Sequence, residues 1–435
     1  MTKKTRYFLL AACVLIFLIL APLMVLYVRG ISFNFNTGSF VTNGILSVRS
    51  VPNSAAIYLD GRLRRDSSGD LDFIVPGEHQ LTLKKPGYQD WSKRLEVEEG
   101  QVTWANPSFG DIYLLFKQPP VVTVATGVQD FYFHNGEAVL LEKNNLIAAS
   151  GTNLGNQTLF TLPQPANTIA AADASGKNFV LSETANSPAA AAYLFFSLND
   201  GKFTKLSGLF STPSEFAFSE GGQLYALSDG QLYAIDPDAQ TKTLLFSGVK
   251  TFGLQDGSVY FIQNNASGTP ELLVSQPPFN QTQTLFANLP AFNQAHLYIT
   301  FQKQIFLLAD NTLYLANNSM GQMAGNVSVA KFEAQTSILA IVDSGELDYF
   351  DPLTGNLNFV TRSSGALADL QIRQNIGYAL FRTGSEIDAI ELDTRDRQNQ
   401  YVIYNGSDIK KTAVDNAGKN LVVLDGTELN TLTIR

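Results

Sequence analysis

Few side chains in this sequence combine type and spacing in a way that invites chemistry. Two pairs of neighbouring aspartates, Asp236 with Asp238 and Asp393 with Asp396, are the first candidates, either as acid–base carboxylates or as oxygen ligands for calcium. A calcium loop needs further oxygen donors at alternate positions and a closing glutamate. Here Pro237 and Arg395 interrupt the runs, which favours turn formation. The three histidines, His79, His134 and His296, lie far apart, and none has a second ligand at metal spacing. They read as structural or surface residues. No nucleophile elbow, paired-histidine metalloprotease motif, phosphate loop or dinucleotide fingerprint occurs, so neither a catalytic residue nor a cofactor is assigned. Motif absence does not exclude an enzyme, because active sites are also assembled from loops far apart in sequence.

Candidate binding residues are aromatic or basic. Tyr88, Trp91 and Trp104 could form a stacking platform for a sugar; the alternative, which burial energetics favour, has them filling a small core and the seam to the next domain. Arg62 to Arg65, "RLRR", follows a turn and reads as a solvated loop, with contact to anionic lipid headgroups as the sharper alternative.

Composition narrows the partners. Only 16% of the 435 residues are charged and the formal net charge is −9. Such a balance repels phosphate backbones, and no basic block interleaved with aromatics offsets it beyond the N-terminus, so no nucleic acid is expected. The one cysteine, Cys13, sits in an apolar run, leaving the rest of the chain without an internal disulfide.

The elements that must position these residues begin with "MTKKTRYFLLAACVLIFLILAPLMVLYVRG". Between Tyr7 and Val28 there is no charge, a stretch that as a helix is about 33 Å long and crosses a bilayer core. Its length favours a span over a cleaved signal. Lys3, Lys4 and Arg6 then predict residues 1–6 in the cytoplasm and everything after Arg29 outside. "LAAC", Leu10 to Cys13, offers a competing lipoprotein reading, but the apolar run continues well past the cysteine, which suits a helix interior better.

After a linker at 29–44 the period changes to two. Ile57 and Leu59 oppose Tyr58 and Asp60, Leu81 and Leu83 alternate with Gln80, Thr82 and Lys84, and Leu95 and Val97 oppose Arg94, Glu96 and Glu98. Residues 45–118 therefore read as a small β-sandwich. "GILSVRSVPNSAAIYLDG…VPGEHQLTLKKPGYQDWSKRLEV" resembles a PEGA domain at Val48, Pro52, Ala55, Tyr58, Asp60, Gly61, Pro76, Gly77, His79, Gly87 and Tyr88. It departs from that family at the signature turn, where Asn53 and Ser54 replace Glu and Gly, and in "RLRRDSSGD", which lacks the expected Thr-Pro. The resemblance implies an extracytoplasmic module of the cell envelope, associated with surface layers or carbohydrate, and transfers no catalytic residue.

Beyond a Pro-rich connector, 119–435 repeats a strand, a tight polar turn and a second strand with alternating aromatics, as in "GGQLYALSDGQLYAIDPDAQTKTLLF" and "ILAIVDSGELDYFDPLTGNLNFV". A period of about forty residues is that of a four-stranded propeller blade. Seven or eight blades are expected, closed by the strand Val121 to Gly127 joining the C-terminal strands; two stacked β-sandwiches are the competing arrangement. The fold class is thus all-β: a transmembrane helix at 7–28, a PEGA-like sandwich and a seven- or eight-bladed β-propeller. The function expected is a single-span, membrane-anchored extracytoplasmic binding or adhesion protein whose propeller recognises an envelope protein or glycan. Loops such as Asn264 to Pro270 and Leu392 to Gln400 would carry the contacts. A cell-envelope or polysaccharide-active hydrolase or lyase is the alternative, recognisable by carboxylates at the central channel.

Overall fold

The computed structural model describes residues 3–34, 38–134, 137–143, 145–150, 157–162, 165–183, 193–206, 208–210, 213–316, 319–333 and 336–435. The one α-helix among the described residues, Lys3–Val28, contains the segment Thr5–Val28, long and apolar enough to cross a membrane and not buried against the rest of the chain. A hairpin of Ile31–Asn34 and Ser39–Thr42 follows directly.

The sandwich has one face of three strands, in the order Val102–Trp104, Gly44–Val48, Gly69–Ile74. Its other face has four, in the order Arg62–Arg65, Ala56–Leu59, Gly77–Lys84, Trp91–Val97. The alternation read from sequence is what fills it: Ile57, Leu59, Leu81, Leu83, Leu95 and Val97 are buried together with Leu46, Val48 and Leu71. Arg62–Arg65 is an exposed edge strand rather than a loop.

The remainder is a ring of eight four-stranded antiparallel sheets among the described residues, so the blade number is eight. Blades 1 to 7 span 130–161, 166–205, 213–247, 249–286, 295–324, 327–362 and 367–405. In blade 8 the strands Ile409–Val414, Asn420–Asp425 and Glu428–Thr433 are joined on the outside by Val121–Thr126, from the start of the ring. The expected closure is therefore present, with Val121 opposite Leu432 and Thr126 opposite Glu428. It removes the two free sheet edges that an open ring would leave.

Each blade's second strand is hydrophobic on both faces because it packs against both neighbours. In Ile338–Asp343 of blade 6, Leu339 and Ile341 turn towards Phe306 and Leu308 of blade 5, while Ile338, Ala340 and Val342 turn towards Ile372 and Phe381 of blade 7. Tight turns link such strands to the third. Asp229 and Gly230 both take positive φ, 51° and 71°, which a two-residue hairpin of this twist requires. First strands of neighbouring blades pack against one another between blades 1 and 2, 2 and 3, 4 and 5, 6 and 7, and 7 and 8, and that of blade 8 meets that of blade 1, forming the hub.

Leu432 is 2% exposed and opposes both Leu421 and Val121. Leu432→Ala should lower the unfolding free energy by about 2–5 kcal/mol in denaturant titration. A chain ending before Leu421 should lose the single cooperative unfolding transition of the ring; unchanged thermal unfolding of the truncated chain would rule out closure as a stabilising device.

Candidate functional site

Two sets of side chains stand out in the folded chain: a charged seam between the sandwich and blades 7 and 8, and the hub. The seam starts from strand Trp91–Val97, whose alternation puts Trp91, Lys93, Leu95 and Val97 on the buried side. Lys93 is therefore forced into the interior, where it is fully buried. Its Nζ lies 3.0 Å from Glu391 Oε2 and 3.3 Å from Asp393 Oδ2, and donates to the Asp393 carbonyl at 2.7 Å. Glu391 ends the third strand of blade 7, and Asp393 begins the loop that follows. The other oxygen of Glu391 accepts the Trp91 indole N–H at 2.9 Å, and its Oε2 also accepts from Asn399 Nδ2 at 2.8 Å. Every polar atom of this buried cluster thus has a partner, the condition under which a buried ion pair is tolerated.

The same loop finishes the sandwich. Trp91–Val97 is the last strand of its sheet, with backbone groups left over on the outer side. Asn399 satisfies those of Ser92 with both ends of its amide, accepting from the N–H at 3.4 Å and donating to the carbonyl at 3.2 Å. Asp396 accepts the Arg94 N–H at 2.8 Å. A side-chain amide and a carboxylate do here what another strand would do. Arg395 grips Asp393 and donates to the Ala105 carbonyl at 2.7 Å. Two tyrosines add direct links, Tyr401 to the Asp90 carbonyl at 2.9 Å and Tyr378 to that of Tyr113 at 3.2 Å. Burial, reinforced by nearby Glu391, pushes both phenols well above their ordinary range, so they stay neutral donors. The connector also pairs with the chain end, Phe116 N–H to the Ile434 carbonyl at 2.9 Å.

These contacts correct several expectations. The loop Leu392 to Gln400, expected to present free side chains, spends Asp393, Arg395, Asp396 and Asn399 on the sandwich. Asn264 to Pro270 joins the second and third strands of blade 4 rather than two blades, and Asn265 Oδ1 accepts from Ser267 and Thr269 within it. Asp236 caps its own turn through the Ala239 N–H, as its spacing suggested. The three aromatics do not share an exposed face. Trp91 is 1% exposed at the seam, Tyr88 stacks on Phe116 with centroids 4.5 Å apart, and Trp104 is half exposed on an edge strand. His79 braces the sandwich between Asp60 and the Val75 carbonyl, both at 2.7 Å.

The hub is uneven. Asp130 of blade 1 accepts the Ile169 N–H of blade 2 at 2.8 Å and Lys411 Nζ of blade 8 at 2.7 Å. Arg373 of blade 7 grips Glu333 of blade 6 at 2.6 Å and donates to the Val414 carbonyl of blade 8 at 2.9 Å. Those side chains tie blades 6, 7, 8, 1 and 2 together. Glu215, on the first strand of blade 3, makes no ion pair or side-chain hydrogen bond among the described residues, and burial pushes its carboxyl up. It adds to the burial that raises the phenol of Tyr298 on blade 5. Both groups lie on the first strands of their blades, and Tyr298 tilts against Phe332 of blade 6, with centroids 5.6 Å apart.

Residues 43–110 match the PEGA domain, as the resemblance within 45–118 implied. Among solved structures the chain is similar to a eukaryotic initiation factor, with a TM-score of 0.51 and 11% identity over 71% of this chain and 84% of that one. It is also similar to the dipeptidyl peptidase 4 of Porphyromonas gingivalis, with a TM-score of 0.50 and 10% identity over 69% of this chain and 56% of that one. The Dos1 propeller aligns at a TM-score of 0.49 and 10% identity over 73% and 95% of the two chains. No curated protein matches the chain in sequence. At such identities the likeness is one of fold: this chain carries a PEGA domain and a β-propeller behind an apolar helix that fits an anchor.

Lys93→Ala leaves two buried carboxylates without their ammonium and should cost about 3–5 kcal/mol of stability, read by denaturant titration. Acid should open the seam in a defined direction. Burial alone would raise the Asp393 pKa, but hydrogen bonds from Arg395 and the charge of Lys93 outweigh it and hold the carboxyl below its ordinary value. A depressed folded pKa gives stability that is present above the unfolded value and lost as pH falls through the folded one. In a Trp104→Phe background, Trp91 emission should shift to the red as pH drops below about 4, and Asp393→Asn should remove that acid step.

Proposed function

We propose that the chain is a membrane-anchored recognition protein, with the propeller as the binding head and the PEGA sandwich as a rigid stand-off between it and the bilayer. The observation that carries this reading is the seam: Lys93, Trp91, Ser92 and Arg94 of the sandwich are all bonded to the end of the third strand of blade 7 or to the loop that follows it, so the head is held at a fixed attitude to the segment that leads to the helix. A buried, fully paired contact of this kind suits presentation of a surface better than free reach on a flexible tether. Basic Lys3, Lys4 and Arg6 before the apolar segment favour a cytoplasmic N-terminus and an extracytoplasmic head. Proteins or glycans of the cell envelope are the partners this placement would offer.

A second reading, a hydrolase or lyase acting on polysaccharide, draws on Glu215, a carboxyl with a raised pKa at the hub beside Tyr298. Burial that favours the protonated carboxyl is the environment a general acid needs.

External protease on intact cells should remove the sandwich and propeller; protection until the membrane is opened would contradict the topology. Full-length protein in nanodiscs should retain a component of envelope glycan or membrane-protein fractions without turning it over. Polysaccharide cleavage that falls at least about a hundredfold in Glu215→Gln would replace the recognition reading with the enzymatic one.

A further inference from the structure

The end of the sandwich nearest the apolar helix carries a set of exposed side chains that the seam and hub do not use. Tyr27, in the last turn of the helix, stacks on Phe73 with centroids 5.0 Å apart and planes 11° from parallel. Phe73 holds a φ of +59°, a conformation that a bulky residue adopts only when its surroundings impose it, and its ring remains 48% exposed. Directly after the helix, Phe33 and Phe40 meet edge to face across the hairpin, the first 41% and the second 64% exposed. Arg62 lies at the same end. The turn before it is braced through Asp60 and His79 to the Val75 carbonyl, one residue beyond Ile74, which pairs with Gly44 beside the hairpin. Arg29, Arg62 and Arg64 are exposed, and no ion pair of theirs is present among the described residues. Of the carboxylates at this end, Asp60 accepts from His79 and the Gln80 N–H and also feels the charge of Arg64, and Glu99 accepts from the Thr42 N–H, while Asp66 and Asp72 are exposed.

We propose that this end of the sandwich, Phe33, Phe40 and Phe73 with Arg29, Arg62 and Arg64, is a lipid-contacting surface that rests on the anionic bilayer around the helix. The proposal rests on the anchor reading. Continuity with the helix identifies the occupant, since a helix that spans from Thr5 to Val28 brings Tyr27, Phe73 and the hairpin to the headgroup level. Rings at that depth take the interface, and exposed guanidiniums take phosphates, each adding attraction that decays within a Debye length. The exposed cationic edge strand Arg62–Arg65 stands out in a chain of net charge −9. Such a footing would fix the tilt of the sandwich on the bilayer and, through the seam, that of the propeller.

The test uses the full chain in nanodiscs of phosphatidylcholine alone or containing phosphatidylglycerol, with retention in the disc reporting the anchor and backbone hydrogen exchange reporting the surface. Strands Ile31–Asn34, Ser39–Thr42 and Arg62–Arg65 should exchange more slowly in anionic discs, with Gln231–Asp236 of blade 3 unchanged. Raised salt should reverse the difference, and Arg62→Ala and Arg64→Ala should each reduce it about fivefold. Phe73→Asn, which suits positive φ but lacks the ring, should also lower protection of the hairpin while leaving the unfolding midpoint of the sandwich in place. Equal exchange in both discs with the chain retained would overturn the proposal while leaving the anchor standing. Loss from both discs would overturn both, and protection that appears only when an envelope extract is added would assign the surface to a protein partner and overturn it.

Discussion

An ammonium group with no access to water organises this molecule. Lys93 sits on the core-facing side of an edge strand, where its charge would cost several kcal/mol if left alone. The chain answers from some three hundred residues away with Glu391, Asp393 and the Asp393 carbonyl. Once those groups are fixed, the rest of the seam is constrained. Glu391 must also take the Trp91 indole, Arg395 must balance Asp393, and Asn399 and Asp396 come into register with the open edge of the sandwich. Replacing such a cluster by apolar residues is often neutral for stability, so the ionic version suits specificity of docking more than strength. An apolar patch would accept many orientations of a sandwich on a propeller; this pattern of donors and acceptors accepts one.

The ring follows a different logic, because hydrophobic burial between blades supplies its stability and the hub charges supply its register. Asp130 and Arg373 each span three blades, and both act close to the closing blade, where the two ends of the ring meet. The seam engages the same side, through blade 7 and the chain end at Ile434. Among the described residues the other blades are tied too, blades 3 and 4 through Glu220 and Gln255, blades 4 and 5 through Asp256 and Lys303, and blades 5 and 6 through the Phe301 N–H and Ser337, while Glu215 and Tyr298 take no part in these ties.

Much of the fold was legible because its signals are local. The forty-residue recurrence, the Asp-Gly turns and the two-residue period of strands such as Gly77–Lys84 follow from backbone geometry alone, and all appear in the structure. The closing strand was legible too, since Val121 to Thr126 had no local partner. The seam was not, because it depends on a contact between residues three hundred apart, and Asp393 and Asp396 look like ordinary turn aspartates. One sign was present: in "WSKRLEV" the buried positions read Trp, Lys, Leu, Val, and a lysine on the apolar side of a strand demands a partner. The same reasoning explains the aromatics, since Trp91 shares that buried side while Trp104 lies on a strand at the sheet's edge, so residue type alone could not separate them.

The claim that sandwich and propeller form one rigid body is the one on which the stand-off reading depends. It is tested most directly by a distance distribution between spin labels on the two domains of the full chain. In a Cys13→Ser background, labels at Glu78→Cys on the sandwich and Leu353→Cys on blade 6 should give a single distribution as narrow as that of a pair within the propeller, Leu244→Cys with Leu353→Cys. Adding Lys93→Ala should broaden the first pair and leave the second unchanged. A broad or multiple distribution for the first pair with Lys93 intact would contradict the account.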